Sequence, residues 1–179
     1  TRHAYVSNSV LSQGKFVKIK VKDTGIYKLT FEDLNSIGIN PTNVRVFGYG
    51  GAVLEQDFSL PKQDDLPELA IWMEKGSDGI FNAGDYILFY AEGVDSWNTE
   101  SLTSVNLFAD KSYYYIKSSG GTGKRMQTAT EPSASPTLNF TQFDDVVYYE
   151  KDLVNGGKVG RRWLGEQFNI DNTQTVDFT

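Results

Sequence analysis

The stretch KGSDGIFNAGDYILFY, Lys75–Tyr90, joins two kinds of chemistry. Gly76, Asp78, Gly79, Asn82 and Gly84 in its first half are turn formers, glycines for positive φ and side chains that bond nearby backbone. Tyr86-Ile87-Leu88-Phe89-Tyr90 in its second half is apolar or aromatic at every position. A strand of that kind is expected inside a sheet with cover on both faces. A tight loop feeding a central strand is therefore the expected centre of the fold.

The segments before it alternate. In Phe16–Lys22, FVKIKVK, Val17, Ile19 and Val21 fall on one face and three lysines on the other, as in a half-buried strand. Asp23-Thr24-Gly25 reads as a turn, with Ile26–Leu29 expected as the hairpin partner. Thr30 followed by Asp33 forms a capping-box pattern for a short helix that carries Leu34 and Ile37 and stops at Gly38. Further strands are expected at Val44–Phe47, Leu69–Glu74 and Ser112–Lys117. Beyond a proline- and serine-rich connector, Thr130–Thr137, Val146–Tyr149 and Trp163–Ile170 read as strands of a following domain.

These elements predict a mainly β fold: an antiparallel, sandwich-like module over residues 1–130 with one short helix. Residues 131–179 are expected to hold the connector and first strands of a second β domain. The alternation still running at Gln174–Thr179 and the absence of an initial methionine or signal peptide read as a piece of a longer, processed chain.

Composition narrows the functional classes. The 179 residues carry 17 Lys and Arg against 23 Asp and Glu, a net charge of −6, which disfavours nucleic acid as a partner. Aromatics make up 13% and glycines number 17, as suits many short strands and turns. Without cysteine these residues can form no disulfide, thiolate metal site or thiol nucleophile. The longest apolar run falls far short of the ~20 residues of a membrane-spanning helix.

Motif by motif, catalysis finds little support. Gly48-Tyr49-Gly50-Gly51 follows a strand but lacks the third glycine and the helix of a dinucleotide site. Gly121-Thr122-Gly123-Lys124-Arg125 lacks the first glycine of a P-loop, and Arg125 replaces the magnesium-binding hydroxyl. No cofactor is expected. Asp78, Asn82 and Asp85 could offer oxygens to calcium, but they fit no EF-hand spacing and serve equally as turn builders. His3 is the only histidine and lies in a polar terminal segment. Asp64-Asp65 and Asp144-Asp145 diverge if extended, so neither is a good carboxylate pair. Trp97 is the best candidate for an exposed aromatic platform that stacks on sugar, and Tyr113 and Tyr115 share one strand face that could extend it. Each could as well plug the margin of a core.

Seven runs in order, SVLSQGK (Ser9–Lys15), TGIYKLT (Thr24–Thr30), VRVFGYGG (Val44–Gly51), DDLPE (Asp64–Glu68), EKGSDGIFNAGDY (Glu74–Tyr86), YYE (Tyr148–Glu150) and GRRWLGE (Gly160–Glu166), resemble the amino-terminal region of gingipain-type cysteine peptidases. The resemblance is strongest to the cell-surface sortases of type IX secretion in Bacteroidetes. It implies export to the periplasm or outer-membrane surface of a Gram-negative cell. It also implies a Cys-His dyad in a later α/β peptidase domain, so no catalytic residue can be carried onto this chain. The partners implied are that peptidase domain and secreted cargo, with a surface glycan as the alternative. In such relatives an amino-terminal segment can inhibit the enzyme with a basic residue. By that analogy Gly120–Arg125 is a candidate inhibitory loop, with Lys124 or Arg125 as the cation.

Overall fold

The computed structural model describes residues 5–54, 57, 59–60, 62–97, 104–106, 108–131, 133–145, 147–158, 163–170 and 173–177. The chain divides into two compact units: residues 1–96 with 106–128, and residues 97–105 with 129–179.

The first unit is built from two antiparallel sheets. Strands β1 (Phe16–Val21), β7 (Ser112–Lys117), β3 (Arg45–Phe47) and β4 (Glu68–Leu69) form one, in the order β1-β7-β3-β4. Strands β2 (Gly25–Thr30), β6 (Tyr86–Ala91) and β5 (Trp72–Glu74) form the other, in the order β2-β6-β5. Val21, Val46, Tyr114 and Ile116 of the first sheet and Ile87, Phe89 and Ala91 of the second belong to one buried cluster, with Leu34, Ile39, Val44, Ile71 and Phe81. The protein is thus mainly β, sandwich-like, with a single α-helix among the described residues, α1 (Phe31–Ser36).

Local sequence explains several of these elements directly. The Thr30 hydroxyl accepts from the Asp33 amide while the Asp33 carboxylate accepts from the Thr30 amide, which satisfies two orphan donors at the start of α1. Gly38, at φ +70°, follows the helix in a conformation that costs glycine little. Leu34 on the inner side of α1 is wholly buried.

Pairing departs from the sequence expectation in two places. Phe16–Lys22 and Ile26–Leu29 do not form a hairpin: β1 pairs with β7 and β2 with β6, so the Asp23-Thr24 connection carries the chain between sheets. Gly93 holds this corner, its amide donating to the Thr24 hydroxyl at 3.0 Å. A Cβ on Gly93 would lie 2.3 Å from the Lys22 carbonyl oxygen. The expected strand Leu69–Glu74 likewise splits. Leu69 pairs with Val46 in one sheet and Trp72 with Leu88 in the other, while buried Ile71 makes the crossing.

Strand β6 is central in its sheet, but its two faces differ. Ile87, Phe89 and Ala91 are fully buried, whereas Tyr86 and Leu88 are half-buried and Tyr90 is 50% exposed. Cover on both faces is therefore not observed. The outer face tolerates exposure because its tyrosines carry polar tips.

The second unit contains a two-stranded pair, β8 (Val154–Asn155) with β9 (Trp163–Leu164). Gly157, at φ +85°, turns the chain between them. Of the expected strand at Val146–Tyr149, Val146 lies outside the described residues and 147–149 are not strand. The expected strand from Trp163 reaches only Leu164. Phe140, Phe143 and Ile170 of this unit are exposed.

Candidate functional site

A polar cluster of the first unit surrounds Arg45 of β3 and Glu68 of β4, which lie on adjacent strands. The Arg45 guanidinium donates to both oxygens of Glu68, Nε to Oε1 at 3.0 Å and Nη2 to Oε2 at 2.6 Å. Its Nη1 donates to the carbonyls of Ser119 and Gly120 at 3.2 and 2.8 Å. Glu68 Oε1 also accepts from the Lys124 amide at 2.8 Å. Only 18% and 11% of the two side chains is exposed. A bidentate pair of this kind has the fixed geometry that a single point charge lacks.

Electrostatics follow from this geometry. The hydrogen bonds to Glu68 raise the Arg45 pKa above its ordinary value. Burial, the largest single influence on Glu68, pushes its pKa up. The Arg45 bonds, the Lys124 amide and both positive charges outweigh it and hold the carboxyl below the usual range.

The loop after β7 is shaped on this pair. Gly123 has φ +73°, and a Cβ there would meet Glu68 Oε1 at 2.4 Å and Arg45 Cγ at 2.6 Å. Beyond it the chain lies beside Ile71: the Ile71 amide donates to the Lys124 carbonyl at 3.3 Å and the Met126 amide to the Ile71 carbonyl at 2.9 Å. Both backbone groups of Lys124 are thus held, while its side chain is exposed. Arg125 is the opposite case. It is half-buried, and its guanidinium donates to the Val44 and Lys124 carbonyls at 3.1 and 3.0 Å. Burial lowers its pKa; Glu68 opposes that shift and Arg45 adds to it. Of the two cations expected in this loop, Lys124 is presented and Arg125 is an anchor.

The other expected residues fall elsewhere. Asp78 accepts from the Ile80 amide and the Asn82 side chain, both at 2.9 Å, and Asp85 accepts from the Asn82 amide at 2.8 Å. These bonds within the loop build the turn. Among the described residues no group of three or more His, Cys, Asp or Glu could hold a metal ion.

Tyr113 and Tyr115 share the outer face of β7, where Lys18 Nζ sits 3.8 Å from the Tyr113 ring centroid and Phe16 packs edge-on to Tyr115 at 5.8 Å. Trp97 belongs to the second unit and is 53% exposed; its ring lies 5.8 Å from that of Tyr148, itself 54% exposed. His3, Arg161 and Arg162 lie outside the described residues. Asp64 and Asp65 both face the amino-terminal segment. Asp64 accepts from the Val6 amide at 2.5 Å, and Asp65 from the Val10 amide at 2.6 Å and the Ser9 hydroxyl at 2.9 Å.

The Arg45–Glu68 pair and Tyr148 went unmarked in the sequence. One signal was available for the pair, a charge inside each of two short apolar strands, VRVF and PELA. No family profile matches the chain, and no curated protein or solved structure matches it.

Proposed function

We propose that this chain is the non-catalytic amino-terminal accessory module of a gingipain-like, PorU-type cell-surface cysteine peptidase of type IX secretion, and that it packs on and regulates the peptidase domain. The observation that carries the reading is the presentation of Lys124. Its backbone is pinned from both sides while its ammonium is exposed and in no ion pair among the described residues. A rigid segment that projects a cation loses little entropy when the cation enters an acidic specificity pocket. The seven runs resembling that family and the absence of any thiol support the same reading.

The test is inhibition of a purified gingipain-like catalytic domain by this chain in trans. Lys124→Ala should weaken inhibition at least tenfold with the fold retained by circular dichroism, and Lys124→Arg should restore part of it. Equal inhibition by wild type and Lys124→Ala sinks the role of this loop.

The aromatic pair in the second unit supports another reading, a carbohydrate- or surface-binding module. Trp97 and Tyr148 are both more than half exposed and in ring contact, an arrangement on which a sugar ring can stack. Binding on a glycan array that Trp97→Ala abolishes, with peptidase inhibition absent, would favour it.

A further inference from the structure

The geometry points to strand β2 as a docking edge for an extended segment of another protein, which adds to the β2-β6-β5 sheet as a fourth strand. The Phe31 amide donates to the Asp85 carbonyl at 2.8 Å, continuing the register that pairs Thr30 with Tyr86 and Ile26 with Tyr90. Hydrogen-bonded and non-hydrogen-bonded pairs alternate along an antiparallel ladder. Residues 25, 27, 29 and 31 therefore turn their main-chain groups toward β6, and Ile26, Lys28 and Thr30 turn theirs away. The Thr30 amide is closed by the Asp33 carboxylate. Ile26 and Lys28 keep outward N–H and C=O groups on a strand that, among the described residues, ends its sheet.

The surroundings of this edge are open and apolar. Ile26 is 75% exposed, and its cross-strand partner Tyr90 is 50% exposed on the same outer face. A Cβ built on Gly25 would touch nothing within 4 Å. The other long edge strand is guarded differently: β1 puts exposed Lys18 and Lys20 on its outer face, followed by exposed Lys22, a device that discourages strand addition. β2 has one lysine. Lys28 Nζ lies 4.0 Å from the Tyr86 ring centroid and has no carboxylate within ion-pair reach among the described residues.

These features define the occupant. Alternating main-chain donors and acceptors are matched by an extended polypeptide. Charge complementarity places an acidic side chain opposite Lys28, and two residues along the same face an apolar side chain meets Ile26 and Tyr90.

The test uses the whole 179-residue chain and a capped hexapeptide, Thr-Val-Glu-Val-Val-Thr, followed by amide hydrogen exchange and NMR. In the free protein the Ile26 and Lys28 amides should exchange faster than those of Tyr27 and Leu29. The peptide should slow both at least tenfold, and N-methylation at alternate residues should weaken binding at least tenfold. Ile26→Lys should weaken it similarly. Should that variant not fold, Lys28→Glu should reverse the preference toward the peptide with lysine in place of glutamate. Slow exchange at both amides in the free protein, or no protection at millimolar peptide, overturns the proposal. Protection that grows with protein concentration alone, together with a dimer in sedimentation, overturns it in favour of a second copy of this chain.

Discussion

A Cβ placed on Gly48 would lie 2.1 Å from Cδ1 of Tyr114. Tyr114 is only 2% exposed, and its hydroxyl accepts from the Glu92 amide at 2.7 Å, so the ring cannot swing aside without breaking that bond. The glycines after β3 therefore serve packing: Gly48 admits the ring, and a Cβ on Gly51 would lie 2.5 Å from Val94 Cγ1. Gly48→Ala should cost about 3 kcal/mol, at the upper end for overpacking a filled site. Urea denaturation measures it, and a loss under about 1 kcal/mol would mean that the ring relaxes freely.

Strict alternation in FVKIKV identified the inner face of β1, and the Thr30–Asp33 pattern located α1, because both signals are local. Alternation says which face is buried but not which strand lies alongside. The hairpin expectation failed for that reason, and Gly93 at the corner comes from a distant loop. Arg45 and Glu68 are 23 positions apart, so their bidentate contact arises only once Leu69 is paired with Val46. For the second unit, runs as short as Trp163–Leu164 carry too few side chains to specify a register.

Removing one partner of the Arg45–Glu68 pair should cost more than a surface ion pair and less than a fully buried one. Glu68→Ala leaves the guanidinium with two carbonyls and no counter-charge, and about 2 kcal/mol is expected. The pH dependence has a definite sign. The folded pKa of Glu68 is below its ordinary 4.5, so the contribution is complete above that value. It disappears as pH falls through the lower folded value. Wild type should therefore lose stability across that acid window faster than Glu68→Gln, measured by denaturant midpoints from pH 6 down to pH 3.

The acidic loop before β6 should be indifferent to calcium. Its carboxylates already accept from the Ile80 and Asn82 amides and from the Asn82 side chain. The Gly84 amide in turn donates to Glu32 of α1 at 2.9 Å. Asp78→Ala should lower stability by removing the bonds from the Ile80 amide and the Asn82 side chain. The loss should be the same with and without millimolar calcium in a thermal-shift measurement. A calcium-dependent rise in Tm that Asp78→Ala abolishes would make the loop a metal site.

The amino-terminal segment is held at Val10 from two sides. Lys117 is buried and its Nζ donates to the Val10 carbonyl at 2.6 Å, while Asp65 accepts from the Val10 amide. Burial pushes the Asp65 pKa up, but the Leu66 and Val10 amides and the Ser9 hydroxyl together hold it below the ordinary value. Charged Asp65 is thus the form that fastens the segment. Asp65→Asn keeps the size of the side chain and removes the charge that strengthens its bonds. The Val10 amide should then exchange at least tenfold faster while the amides of β7 are unchanged, because opening one segment need not unfold the sheet beneath it. Acid should do the same to wild type as pH falls through the folded Asp65 value, and Asp65→Asn should show no such transition. Equal exchange at Val10 in the two proteins at neutral pH would mean that the contacts of Lys117 with the Val10 carbonyl and of Asp64 with the Val6 amide hold the segment without the Asp65 charge.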